Sequence, residues 1–203
     1  MALDSLRRTI VEGSLQPGQK LREVSLAAEL GVSRPTLREA LLTLVHEGLC
    51  VQTHLRGFSV STLDDAAIRD LARTRLVLDR MAVHEIWARS DGVTDAEVAW
   101  SLYAPVAEDS DGLRRHIAHL EFHRALWWAS GNTMLRRLWP VTEALATLAL
   151  AQDQAVRRDS RRAHDVHEAI MKAVIARDPD LLELALAQHT QDSAEDLISL
   201  RAE

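Results

Sequence analysis

LAAELGVSRPTLREAL, residues 26–41, decides the fold. Leu26, Ala27 and Leu30 read as one face of a short amphipathic helix. Gly31 follows where a left-handed residue costs little. Ser33 then reads as the N-cap of a second helix over about 34–47, with Glu39 outside the capping-box position. Leu37, Leu41, Leu44 and Val45 form its inward face, and Gly48 marks its end. Arg34 and Arg38 are four apart and share the opposite face near the N-terminus. A helix that enters the major groove needs this division, apolar behind and long donors in front. Arginine can donate two parallel hydrogen bonds to guanine O6 and N7. Ser33 and Thr36 are short donors suited to phosphate oxygens beside a helix N-terminus. The plainer reading is a solvated face, with the two arginines paired to Glu39 or Glu47.

The flanking sequence completes a small domain. Leu3, Leu6, Ile10 and Val11 have helical spacing over 3–12, and Gln16-Pro17-Gly18 is a turn. Residues 49–53 and 58–61 alternate apolar and polar as two strands would, with Gly57 in a tight turn between them. Arg56, at that turn, is placed to enter a minor groove or meet a phosphate. Three helices and two strands in about 60 residues make a winged helix-turn-helix.

Charge divides the 203-residue chain at the same point. Residues 1–63 carry a net charge of +1 and residues 64–203 a net of −7. The second part also holds all five tryptophans and seven of the nine histidines. We therefore expect two domains, 1–62 and 63–203, of which only the first suits a polyanion. A hydrophobic fraction of 47% supplies a sizeable core and argues against disorder. No apolar stretch approaches the roughly 20 residues of a membrane helix, and no secretory signal is expected at the N-terminus. The single cysteine, Cys50, fits a reducing cytoplasm.

Nothing after residue 62 alternates like a strand. Thr62 is expected to cap a long helix over about 64–90 that ends at Asp91-Gly92. Further helices are expected from Thr94, from Asp111 to Ser130-Gly131, from Asn132 through Pro140, from Ser160, and from Asp178-Pro179. The fold class is thus mainly α, a winged helix-turn-helix followed by an antiparallel bundle of about six helices.

The bundle carries imidazoles on three of its helices. His116, His119 and His123 fall within a narrow arc of one, and His167 and His189 lie on two others. His119 and His123 can both reach one ion, with His167 and His189 completing its shell. Imidazole suits zinc, nickel or copper, while magnesium and calcium prefer oxygen. Zinc ranks first and nickel second as the divalent transition metal. Against this, a half-buried histidine is more often a hydrogen-bonded core residue, the class given to His46, His54 and His84 where they are not at the surface.

Residues 1–62, through the GVSRPTLREAL core, HEGL (46–49) and Arg56-Gly57, resemble the GntR family of bacterial transcription regulators. The resemblance implies operator binding by a homodimer, with Ser33, Arg34, Thr36 and Arg38 on the recognition helix and Arg56-Gly57 at the wing. The segments 74–79, 122–132 and 167–189 resemble the FCD effector domain of the FadR-like subfamily. That implies a divalent metal held by His123, His167 and His189, plus an acidic residue four before the first of them. Here that position is His119, a departure that leaves four imidazoles and no carboxylate. It also implies a small carboxylate effector anchored by Arg75, whose alternative is an ion pair with Asp79 one turn away. Two rivals remain. One is a metalloenzyme with Glu121 or Glu168 as general base, although no HExxH is present. The other is a regulator whose C-terminal domain only dimerises. His164 is a spare ligand.

Overall fold

The computed structural model describes residues 2–53, 57–107, 112–152 and 160–201. The chain divides into two compact units, 1–64 with 140–152, and 65–139 with 153–203.

In the first unit, α1 (Ala2–Val11), α2 (Glu23–Glu29) and α3 (Arg34–His46) accompany a sheet of β1 (Lys20–Leu21), β2 (Cys50–Thr53) and β3 (Gly57–Val60). Ser33 caps α3 by accepting from the Thr36 amide at 3.2 Å, and Gly31 has φ +65°. Those two features set the turn between α2 and α3. Leu37, Leu41 and Leu44 are fully buried, together with Leu6 and Ile10 of α1. Arg7 reaches from α1 to Glu47 at the end of α3. The sheet has order β1-β3-β2, antiparallel throughout. The sequence pattern missed β1, because two residues are too few to show alternation. Its neighbours hold β3 through Gly18 N to Val60 O at 3.1 Å and Val60 N to Gln19 O at 3.0 Å.

Cys50 is buried at the start of β2, and burial pushes its thiol up to about 12. An unfolded cysteine titrates near 8.5. Below that pH neither state ionises and stability is unaffected. Between about 8.5 and 12 the unfolded chain releases a proton that the folded chain keeps, so stability falls as pH rises. We expect iodoacetamide to leave Cys50 unmodified at pH 8 in folded protein and to modify it rapidly in urea. Fast modification without denaturant contradicts the placement.

The second unit is all-helical: α4 (Asp65–Ala88), α5 (Gly92–Tyr103), α6 (Gly112–Ala129), the start of α7 (Thr133–Gln152), α8 (Ser160–Ala176), α9 (Pro179–Ala187) and α10 (Ser193–Arg201). The expected sixth helix is α9 and α10 joined by a π turn at Gln188–Asp192. Asn132 caps α7 as expected, accepting from the Met134 and Leu135 amides, and Asp178 caps α9 with Pro179 in its first turn. Pro140 lies inside α7, where the division between units falls. Three boundaries differ, and a fourth lies outside the described residues. α4 starts at Asp65, so Thr62 is too early to cap it. α5 starts at Gly92, and the Asp91 carboxylate pairs with Arg89 instead of capping. Ser160 is already the first residue of α8, and Asp111 lies outside the described residues. Gly92 is obligatory, since a Cβ there would sit 2.3 Å from the Ile86 carbonyl oxygen. That close approach lets α5 fold back on α4 and α6.

Candidate functional site

The N-terminal face of α3 is open. Ser33, Arg34, Thr36 and Arg38 are all exposed, while Leu37 and Ala40 between and beyond them are buried. Arg34 has no partner among the described residues. Arg38 pairs with Glu23 of α2, neither with Glu39 nor with Glu47, which holds Arg7. Gly57 has φ +75° and opens β3. Arg56 and His54 lie outside the described residues.

In the second unit α6 brings His119 and His123, α8 brings His167, and the π turn brings His189. Their ligand nitrogens all lie within 4.8 Å of one another. His123 and His167 are each 1% exposed, whereas His119 and His189 are half-buried. The His123 and His167 Nε2 atoms are 3.2 Å apart, and the His123 and His189 rings stack at 4.6 Å. Burial, joined by the neighbouring imidazoles and the Arg75 guanidinium, holds His119, His123 and His189 well below the ordinary imidazole value. They are neutral at pH 7, the form that ligates a metal. In a tetrahedral zinc site, with bonds of about 2.0–2.1 Å, the ligand nitrogens lie about 3.4 Å apart. The quartet, with nitrogens within 4.8 Å, therefore needs to contract by up to about 1.4 Å to share an ion, and four imidazoles are a donor set that fits one.

The support around the quartet was not legible beforehand. Tyr103, the sole tyrosine, places its hydroxyl 3.1 Å from His167 Nδ1. Burial pushes its phenol up, so the hydroxyl stays protonated. A partner on Nδ1 fixes the ring and leaves Nε2 facing the other histidines. Nothing in sequence spacing ties residue 103 to residue 167. His164 lies outside the quartet, against the Trp100 ring and 3.6 Å from Asp165. His46 and His84 are exposed.

Arg75 is 5% exposed, and its Nε and Nη2 both donate to Asp79 Oδ2, at 3.1 and 3.0 Å. The Trp127 indole donates to Asp79 Oδ1 at 2.6 Å. The guanidinium carbon lies 6.0 Å from the Trp127 and Trp139 rings. The ion pair is thus present, yet the same guanidinium acts on three imidazoles, and its Nη1 has no partner among the described residues. Glu121 pairs with Arg124, and Glu168 with Lys172 at 2.8 Å, both on exposed faces. Neither is placed to act as a base at the quartet.

Residues 1–60 match the family described as "Bacterial regulatory proteins, gntR family", and residues 70–192 match the FCD domain. The HTH-type transcriptional regulator BphR of Paraburkholderia xenovorans is 30% identical over 202 residues, covering 93% of this chain and 80% of its own. The gluconate operon transcriptional repressor of Bacillus licheniformis is 27% identical over 194 residues, covering 92% and 79%. Among solved structures, a GntR regulator from Rhodococcus sp. RHA1 has a TM-score of 0.75 at 24% identity, covering 97% of this chain and 95% of that one. Escherichia coli McbR/YncC has a TM-score of 0.74 at 20% identity, with 98% and 96% covered.

Proposed function

Because the chain belongs to the GntR family of bacterial regulatory proteins and carries its FCD domain, it is a DNA-binding transcriptional regulator, and we propose how it reads DNA and what it senses. Relatives of this kind are named regulators and repressors, and the metalloenzyme reading is set aside. A chain with its chemistry turned away from the quartet, at Glu121 and Glu168, agrees with that.

Residues 1–62 are the reading head. Arg34 and Arg38 meet base edges in the major groove, Ser33 and Thr36 meet phosphates, and Arg56-Gly57 forms the wing contact. The protein acts as a homodimer on an operator with two-fold symmetry, its half-sites about one helical turn apart. The exposed apolar side chains Val77 and Met81 on α4, and Met134 and Leu138 on α7, give a second copy a surface to cover. The sign of control carries over from relatives named as repressors.

Residues 63–203 are the sensor. His119, His123, His167 and His189 hold a divalent transition metal, zinc before nickel. Its chemistry is that of a positive centre for an anion, undiminished by any carboxylate ligand. A small organic acid reaches the metal past His119 and His189, the two half-buried imidazoles, and is oriented by Arg75. The observation that carries this reading is the convergence of four imidazoles, three of them held neutral, beside a buried guanidinium. The acid shifts operator affinity through its differential affinity for two arrangements of the protein.

The test has two stages. Chelator-stripped full-length protein is titrated with zinc, and one ion per chain is expected, lost in His123→Ala. The metal-loaded protein is then bound to duplex selected from a random library, with a panel of two- to six-carbon mono- and dicarboxylic acids. At least one acid should change affinity by about 5–150-fold, and Arg75→Lys should weaken that response. A wild-type chain that retains no zinc contradicts the metal site, and a panel without effect contradicts the acid.

A further inference from the structure

Arg38 and Arg34 share a helix face, but they are held differently. Arg34 is exposed and has no partner among the described residues. Arg38 is held from two other elements at once. Its Nη1 donates to both carboxylate oxygens of Glu23, at 3.0 and 3.2 Å. Its guanidinium carbon lies 5.3 Å from the centre of the Phe58 ring. Glu23 belongs to the first turn of α2, where a negative charge is favoured by the helix dipole. Phe58 is 1% exposed in β3, the central strand, so the platform beneath the guanidinium is packed into the core.

The two holds leave one edge of the guanidinium unused. With Nη1 taken by Glu23 and one face of the guanidinium over the Phe58 ring, Nε and Nη2 have no described partner. Those two N–H groups form a side-on fork, matched to a pair of acceptors such as guanine O6 and N7. A fork held before binding loses less side-chain entropy on contact. It also discriminates more sharply, because it cannot swing to a neighbouring base or phosphate. Glu23 itself is half-buried and contributes a charge that DNA phosphates repel. Its cost to affinity is offset only where Arg38 finds its base.

We propose that Glu23 is a specificity-determining positioning residue. It fixes Arg38 on the Phe58 ring as a guanine reader, while the unheld Arg34 is an adaptable contact. The inference rests on the docking of α3 proposed above, and the experiment separates the two.

Full-length wild type, Arg38→Ala, Glu23→Gln and the double variant are each used to select from a library of random duplex DNA. Binding constants are then measured on the wild-type consensus and on duplexes changed at each guanine. Far-UV circular dichroism checks that each variant is folded, and Glu23→Asp, which keeps the charge one methylene shorter, stands in if Glu23→Gln does not fold. Arg38→Ala should lose the preference for one guanine in each half-site. Glu23→Gln should reduce that same preference about five- to tenfold, with affinity for random duplex unchanged or higher. In the Arg38→Ala background the Glu23→Gln change should have no further effect on preference. If Glu23→Gln tightens binding to every duplex and keeps the guanine preference, Glu23 is only a repulsive charge and the proposal is overturned, while the docking stands. If Arg38→Ala keeps every base preference, the docking and the proposal fail together.

Discussion

Replacing Asp79 with alanine should cost the second unit about 3–5 kcal/mol, the usual penalty for removing one partner of a buried ion pair. Arg75 and Asp79 are 5% and 4% exposed. Both Asp79 oxygens are in use, one by the Arg75 guanidinium and the other by the Trp127 indole. Without the carboxylate, a guanidinium is left buried beside three neutral imidazoles, and an indole N–H loses its acceptor. All five tryptophans lie in the second unit, so their emission during urea unfolding follows that unit alone. Asp79→Asn keeps the shape and one acceptor but not the charge, and it should cost nearly as much as alanine. The double replacement Arg75→Met with Asp79→Leu should recover most of the loss, because two apolar side chains leave no charge unpaired. A cost under about 1 kcal/mol for Asp79→Ala, typical of an exposed pair, would contradict this arrangement.

Much of the architecture was readable in local chemistry. The cap at Ser33, the left-handed glycine at 31 and the leucines at 37, 41 and 44 each specify α3 by neighbouring residues alone. The histidine pair at 119 and 123 follows from helical spacing. His167 and His189 are offered by their places on two other helices and marked as ligands by the resemblance, since no periodicity relates His123 to residues 44 and 66 positions further on. The π turn that carries His189 was hidden as well, because GlnHisThrGlnAsp has no residue type that demands it. What stayed unread is nonlocal. Spacing nominated Glu39 and Glu47 as partners of Arg38, since they lie on the same helix or at its end. The partner found is Glu23, on another helix, and Glu47 faces α1. Tyr103 behind His167 and Trp127 on Asp79 are likewise contacts between helices. For Arg75 the short-range reading is present in full, and its ligand role now depends on one nitrogen, Nη1, that has no partner among the described residues.

The second large effect concerns the arginines of α3. Each bidentate base contact accounts for about 1–3 kcal/mol, so Arg34→Ala with Arg38→Ala together should remove about 2–6 kcal/mol of specific binding. Neither side chain contributes to the core, and Leu37, Leu41 and Leu44 remain in place behind them. The loss should therefore appear in DNA affinity, without a matching fall in stability. It should be greatest on the selected sequence and small on random duplex, where phosphate contacts dominate.

That difference is the most direct measurement of the central claim. Fluorescence anisotropy, at fixed salt, gives the ratio of affinities of metal-loaded full-length protein for its library-selected duplex and for a scrambled duplex. For wild type the ratio should be at least about 10³, the lower bound for specific regulators. For the double variant it should fall by at least about thirtyfold. A wild-type ratio near one, or a double variant that keeps the wild-type ratio, would contradict the assignment of α3 as the element that reads DNA.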